Sequence, residues 1–400
     1  MVGISFSTSS IAIIGNFWFL QKKSLIGDVI SHALLPGVCV AFLCAQSIAE
    51  PYLTIGAFIA GSLALFILDK IVFHSKVKQD GAMAFIVSCF LGTGFFLLTY
   101  IQQGGSENQS RLKNLLFGHA ATLVREDIFV FICLACLLMV ITSLFFKSFS
   151  LISFDPLFSE AIGYPVGRLN LLLQFLTILT IIIGVKSIGV LLIATTLTLP
   201  AASAYFWTNR LWIMVFISAL IASLSSILGT LFSYYISDLP TGPCIVMSMV
   251  FCAVFSFLLA PKKGWVYRRY MGYRYGQKVA MENVLKIFYE LGEKDKDYYG
   301  ERSLEGLSAE RFMSARVVKG VLGKLVQKGW VRKKTGASWV LTSTGKVEAA
   351  RIYNLHILWE AYLVHYVNIQ SDHVHDDAES IEHVITPDLE AELRAILKMN

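Results

Sequence analysis

The chain has 400 residues, a mean hydropathy of +0.62, 55% hydrophobic residues and a formal charge of +6. That is too apolar for an ordinary soluble enzyme and long enough for more than one domain. Charge is unevenly spread: residues 262–400 hold 22 of the 34 Lys and Arg and 18 of the 28 Asp and Glu, so a membrane part and a soluble part are joined end to end.

Apolar runs of bilayer length recur at about 4–20, 25–45, 53–68, 82–101, 127–146, 169–184, 188–205, 211–232 and 244–260. Nine spans, give or take one, are expected. The first run is short and Ser-rich and carries the weakest signal. It is not a cleavable signal peptide, because Lys22 and Lys23 follow the apolar stretch instead of preceding it. All seven cysteines lie in or beside apolar stretches, where free Cys behaves as a small hydrophobe. No disulfide framework is expected, and Cys133 and Cys136, a C-x-x-C, read as core packing.

Basic residues between the runs give the orientation. Lys22, Lys23, Lys70, Lys76, Lys78, Lys147, Arg168, Arg210, Lys262 and Lys263 fall on one side, against Arg111, Lys113, Arg125 and Lys186 on the other. This places the charged tail in the cytoplasm.

In SLIGDVISHALLPG (Ser24 to Gly37), Asp28 and His32 stand four residues apart on one helix face. An ionisable pair inside a span is a functional hypothesis. Carboxylate and imidazole could hold a divalent cation in transit, with Pro36 and Gly37 letting the helix bend. Spacing alone leaves equal room for a hydrated helix start at the interface.

Residues 147–168 form the longest cytoplasmic insertion, in which SEAIGYPVGRL suits a short amphipathic helix ended by Gly163 and Pro165. The chain contains no G-x-x-x-x-G-K-[ST] phosphate loop, so nucleotide hydrolysis needs another polypeptide, and no H-E-x-x-H, which removes the main support for a membrane metalloprotease. No enzymatic activity is expected.

PKKGWVYRRYMGYRYGQK (Pro261 to Lys278) reads as a juxtamembrane anchor, its aromatic rings at the headgroups and its Lys and Arg on anionic membrane lipid. It also reads as an exposed linker in which proteolysis would free the tail.

The tail then reads helix, helix, helix, hairpin, helix, helix, a winged-helix pattern. In the third helix Val318, Val321, Leu322, Leu325 and Val326 form the apolar stripe, Ser314 is the N-cap, and Arg316 and Lys319 lie on the opposite, early face. Arg332, Lys333 and Lys334 in the hairpin add phosphate contacts. DNA binding is favoured over protein docking on this combination.

Five of the eight histidines (His356, His365, His373, His375, His383) lie in the last 45 residues. His356 and Glu360 are four apart; His375, Glu379, Glu382 and His383 fall on one face of a further helix. Imidazole and carboxylate without thiolate suit Mn(II) or Fe(II), and Zn(II) would bind too. A solvated acidic helix is the bland alternative.

The segments SLIGDVISHALLPGVCVAFL, FDPLFSEAIGYPVGRLNLLL and IGVLLIATTLTLPAASAYF together resemble the permease subunits of ATP-driven manganese, zinc and iron importers. The resemblance implies a metal path including Asp28 and His32, and an ATPase-docking segment with Asp155, Glu160, Ala161 and Gly163. It also implies an ATP-binding subunit, an extracytoplasmic metal-binding protein, a second permease subunit and a bacterial inner membrane.

LTSTGKVEAARIYNLHILWEAYLV and VHDDAESIEHVITPDLEAEL resemble the diphtheria-toxin-repressor family of metal-dependent transcription factors. Carried over by residue, His356, Glu360 and His375 take one part of a regulatory metal site and Glu379, Glu382 and His383 another. The first-helix ligand falls on Glu282 or, with a one-residue shift, Asn283. Glu379 stands where iron-type members carry Cys and manganese-type members Glu, which leans toward manganese. As a whole the chain resembles the fused permease and repressor of chlamydial metal-uptake systems. The expected architecture is an all-α polytopic membrane domain of about eight or nine transmembrane helices (1–261), a linker (262–280), a winged helix-turn-helix domain (281–345) and an α-helical metal-binding and dimerisation domain (346–400). Operator DNA is the expected partner of the tail. The rival reading makes the tail a metal-sensing gate that binds no DNA; another makes the membrane half a degenerate anchor.

Overall fold

With no water to satisfy backbone groups in hydrocarbon, an apolar run must close its hydrogen bonds within itself, and it does so as a helix. The computed structural model describes residues 1–45, 50–103, 125–236, 239–309, 314–336, 338–366 and 387–397. The membrane unit, Met1–Tyr267, contains α1 (Val2–Leu20), α2 (Ile26–Ala45), α3 (Glu50–His74), α4 (Gln79–Gln103), α5 (Arg125–Leu144), α6 (Phe146–Phe154), α7 (Pro156–Ala161), α8 (Val166–Ile188), α9 (Val190–Trp207), α10 (Leu211–Tyr235) and α11 (Thr241–Leu259). Among the described residues eight helices are long and apolar enough to cross a bilayer; the ninth expected run coincides with α9, whose apolar part, Leu192–Trp207, is shorter.

The run with the weakest hydropathy lies at the centre. α1 packs against α10, α5, α9 and α8, and 78% of its span is buried, against 28–50% for the other spans. Its serines explain both facts. Ser9 Oγ donates to the Ala219 carbonyl at 3.1 Å, Asn16 Nδ2 to Ser218 Oγ at 2.5 Å, and Ser226 Oγ to Ser5 Oγ at 3.1 Å. Small polar residues let helix backbones approach and hydrogen-bond across the seam where apolar burial supplies no driving force.

α2 and α3 pack antiparallel through Gly37 and Gly56, each lying where a methyl group would strike the other's carbonyl oxygen. α2 runs on through Pro36 to Ala45, and Gly37 serves the close approach. Cys133 and Cys136 correct another expectation, because both face outward from α5 and not into a protein core.

One end of this unit gathers several segments. Phe17 lies 5.4 Å from Phe149 of α6 and Phe19 lies 5.7 Å from Tyr205 of α9, between ring centroids. Lys263 Nζ donates to the carbonyls of Tyr205 (2.8 Å) and Thr208 (3.0 Å) and sits 4.1 Å from the Tyr205 ring centre. A cation there satisfies terminal carbonyls of α9 and meets its negative dipole end. The chain therefore leaves the membrane unit at the α6–α7 end.

The second unit, Arg268–Asn400, contains most of α12 (Trp265–Asp295), then β1 (Arg302–Ser303), α13 (Leu304–Ala309), α14 (Ala315–Gln327), β2 (Val331–Lys333), β3 (Ser338–Leu341), α15 (Ser343–Tyr366) and α16 (Pro387–Leu397). The sheet order is β1-β3-β2, all antiparallel, with Arg302 opposite Trp339 and Val331 opposite Leu341. Val284, Leu285, Ile287 and Phe288 of α12 meet Val318, Val321, Leu322 and Leu325 of α14 and Trp339 and Leu341 of β3 in one core. Val326 is 38% exposed and leaves the expected stripe, since the other four already fill the buried face. The basic, aromatic stretch after Gly264 is not an irregular linker: it is helical and continuous with the expected first helix of the tail. Lys324 of α14 holds it there, donating to Gln277 Oε1 at 2.6 Å and lying 5.7 Å from the Tyr273 ring centre.

Candidate functional site

Asp28 lies in the first turn of α2 and His32 one turn further on. Both are half-buried, whereas Val29, Ile30, Ser31, Ala33 and Leu34 around them are buried. A carboxylate and an imidazole thus share one stripe of the first half of α2, where the residues between and beside them are buried. A separate ionisable group of the membrane unit, which sequence reading passed over, is Asp69 of α3. Its Oδ2 accepts from Gln174 Nε2 of α8 at 3.1 Å. The signal was available, since a carboxylate interrupts the apolar run LALFILDKIVF.

The loop 155–165 is built by its own chemistry. Asp155 caps α7, its Oδ1 accepting from the Phe158 amide at 2.9 Å, and Pro156 occupies the first turn. The helix begins at Pro156, earlier than expected, and stops at Ala161. Gly163, at φ +88°, turns the chain in a conformation that a side chain would oppose. Glu160 and Ala161 are exposed with it, and Leu157 (79%) and Phe158 (54%) project apolar surface. α7 is thus a short helix tipped with exposed apolar side chains.

In the second unit Arg316 and Lys319 are exposed on the early part of α14, and Arg332 and Lys333 on β2. Two expected roles change. Ser314 holds the N-cap position, but its hydroxyl caps nothing; its backbone carbonyl accepts from Val317 and Val318. Lys334 is not a free wing cation: its Nζ donates to Glu301 Oε1 at 2.9 Å, while Ser338 Oγ donates to Glu301 Oε2 at 2.7 Å. These donors hold the Glu301 carboxyl below the usual carboxylate range.

His356 and Glu360 come together on α15, with His356 Nε2 2.9 Å from Glu360 Oε1, the imidazole almost fully buried and the carboxylate half-buried. Glu282 of α12 is 3.6 Å from Lys278, and the neighbouring Asn283 Oδ1 is buried without a hydrogen-bond partner. His375, Glu379, Glu382 and His383 lie outside the described residues. Among the described residues no group of three or more His, Cys, Asp or Glu is gathered for a metal. The His356 imidazole and the Glu360 carboxylate, one turn apart on α15, are donors that fit a borderline-to-hard divalent cation.

Residues 1–260 match the ABC 3 transport family, and residues 342–399 match the iron dependent repressor, metal binding and dimerisation domain. The chain is 36% identical to the manganese transport system membrane protein MntC of Bacillus subtilis, over 92% of this chain and 85% of that one. It is 26% identical to a probable metal transport system membrane protein of Chlamydia trachomatis, over 99% of this chain and 92% of that one. Among solved structures it resembles PsaBC from Streptococcus pneumoniae in complex with Fab, with 31% identity and a TM-score of 0.59, over 67% of this chain and 93% of that one. The span count, the outward-facing α7 loop and these matches agree, and the chain belongs to the ABC 3 transport family as a multi-pass metal permease fused to an iron-dependent-repressor metal-binding domain.

Proposed function

We propose that the chain is the membrane subunit of an ATP-driven importer of a divalent metal, with a tail that represses transcription when its own metal site is filled. The observation that carries the transport reading is the half-buried Asp28 and His32 on one face of α2, among the buried residues of its first half. The carboxylate offsets the charge of the passing cation and the imidazole supplies a borderline nitrogen ligand. Manganese is favoured by relatives named for manganese transport and by Glu379 at its position in the tail; iron follows, and zinc can use the same ligands.

A separate ATP-binding subunit grips α7, around Asp155, Glu160, Ala161 and Gly163, because the chain has no phosphate loop of its own. An extracytoplasmic metal-binding protein delivers the ion at the opposite end, and a second permease subunit completes the path. The membrane is the bacterial inner membrane, and the basic residues clustered at the α7 end make that end cytoplasmic. The soluble unit therefore lies in the cytoplasm, with Arg268, Arg269 and Arg274 against anionic lipid.

In the tail, His356, Glu360 and the helix-one donor at Glu282, with His375, Glu379, Glu382 and His383, would hold a divalent metal, whose charge would offset that of the carboxylates. Arg316, Lys319, Arg332 and Lys333 meet DNA. Metal favours operator binding only by binding the DNA-competent arrangement more tightly. The exposure of Arg316 and Lys319 sets this reading above a gate that binds no DNA, since a gate has no use for free cations on the recognition face.

The test uses the full-length chain reconstituted with its ATPase and binding protein. ATP-dependent Mn(II) uptake should vanish in Asp28→Ala and His32→Ala while the ATPase still assembles; full uptake in both would overturn the transport path. For the tail, detergent-solubilised protein is mixed with DNA from upstream of its own operon, with and without Mn(II), Fe(II) or Zn(II). Metal-dependent retardation supports the repressor, and metal binding without retardation supports the gate.

A further inference from the structure

α8 follows the α7 loop directly, and the joint between them is closed by consecutive backbone hydrogen bonds. The Tyr164 amide donates to the Ser159 carbonyl at 3.0 Å, the Val166 amide to the Tyr164 carbonyl at 2.8 Å and the Leu169 amide to the Pro165 carbonyl at 3.1 Å. Ser159 is fully buried, and its Oγ donates to the Asp155 carbonyl at 2.7 Å. A displacement of α7 is thus passed first to α8.

About 12 Å along α8 from its start, the buried Gln174 donates from Nε2 to Asp69 Oδ2 of α3 at 3.1 Å. One turn further on, Thr177 Oγ1 accepts from the Trp18 indole of α1 at 2.7 Å, and Ile178 meets Gly61 of α3. α3 in turn is packed on α2 over several turns, Gly56 against Gly37 and Gly61 against Ile30 and Leu34. A carboxylate in the span of α3 is costly, and Asp69 lies on the exposed side of that helix. Its hydrogen bond fixes a register. Apolar helix faces slide past one another at little cost in a bilayer, where side chains and lipid tails are alike, and a polar bond between two helices resists that sliding.

We propose that Asp69 and Gln174 are positioning residues for transport: their hydrogen bond makes α3, and α2 packed on it, follow α8 when the ATP-binding subunit displaces α7. The proposal rests on the reading of α7 as the ATPase contact. Asp28 and His32 are carried by α2, so a shift of that helix changes their surroundings although neither touches Asp69. Small helix shifts of this kind pass between sites through packed side chains and the hydrogen bonds that join them. The carboxylate acts in the link as an acceptor, and the link does not use its charge.

Proteoliposomes holding the complete importer test this, with initial Mn(II) uptake and ATP hydrolysis measured in the same sample. Asp69→Leu should leave hydrolysis running and lower the Mn(II) imported per ATP by about tenfold. Gln174→Met breaks the same bond from the other helix and should have the same effect, and the double variant should be no worse than either single one. Asp69→Asn keeps an oxygen that accepts from Gln174 and should hold the wild-type ratio. KM for the loaded binding protein should stay constant throughout. Normal coupling in both single variants, additive losses in the double variant, or a loss in Asp69→Asn equal to that in Asp69→Leu would each overturn the link. Loss of hydrolysis together with uptake would mark a purely structural role and overturn it as well. Normal copurification of the ATPase with Leu157→Ala would instead overturn the reading of α7 on which the link rests.

Discussion

Lys334 and Glu301 form an ion pair of 2.9 Å that ties the wing to the residue preceding β1. One of three basic residues that the sequence assigns to DNA thus has a carboxylate partner, and Arg332 and Lys333 are exposed on β2.

DNA binding should reflect that division. Arg332→Ala and Lys333→Ala are expected to weaken binding across sequences and to lower the slope of log K against log salt by about 0.9 for each lost phosphate contact. Lys334→Ala should change the slope less than either. Fluorescence anisotropy over a NaCl series checks this, and equal slopes for all three variants would contradict it.

The same pair gives a pH dependence. The Glu301 carboxyl is held below its ordinary value by the Lys334 and Ser338 hydrogen bonds, so the folded state binds its proton less readily than the unfolded state. Its stabilisation is fully present above the ordinary carboxylate pKa of about 4.3 and is lost as pH falls through the lowered folded value. Glu301→Gln should flatten that acid limb. Amide exchange at β3, followed from neutral pH into the acid range, is the measurement.

His356 and Glu360 meet at 2.9 Å on α15. Glu360→Gln keeps the size and a hydrogen-bonding partner for the imidazole but removes the charge. Mn(II) affinity by titration calorimetry should fall by at least about tenfold, with the melting temperature of the tail little changed. Unaltered affinity would remove Glu360 from the regulatory site.

At α7 the cap and the tip separate folding from docking. Asp155→Ala should destabilise the helix by about 1 kcal/mol through loss of the bond to the Phe158 amide. Leu157→Ala, which is solvent-facing, should leave the fold intact and weaken copurification of the ATPase subunit. A Leu157 variant that copurifies normally would place the grip elsewhere.

Gly37→Val tests the α2–α3 seam. A side chain there strikes the Gly56 backbone, so helix separation should cost about 1–3 kcal/mol, visible as a lower unfolding temperature in detergent and loss of uptake.

Much of this was legible in the order of residues. Asp28 and His32 advertise themselves because ionisable groups are costly in a bilayer, and the helix spacing of His356 and Glu360 puts them on one face before any coordinates are known. Asp69 was passed over because Lys70 beside it reads as an ordinary basic loop flank; its partner Gln174 is 105 residues away, beyond any local pattern. The Lys334 pairing lay beyond local view for the same reason, since Glu301 is 33 residues upstream.

Sequence by itself determined which segments enter the bilayer and which stay in water, because hydropathy and helical period are sums over neighbouring residues. It also determined the chemistry at hand, imidazole and carboxylate in both halves without paired thiolates. Only the tertiary structure decided that the Ser-rich, least apolar span is the central one, that Gly37 serves packing, that Cys133 and Cys136 face outward, and that the linker is helix. Those outcomes depend on which distant helix supplies each polar partner, Ser218 for Asn16 or Gln174 for Asp69. Such pairings are set by packing geometry across the bundle, which no local window contains.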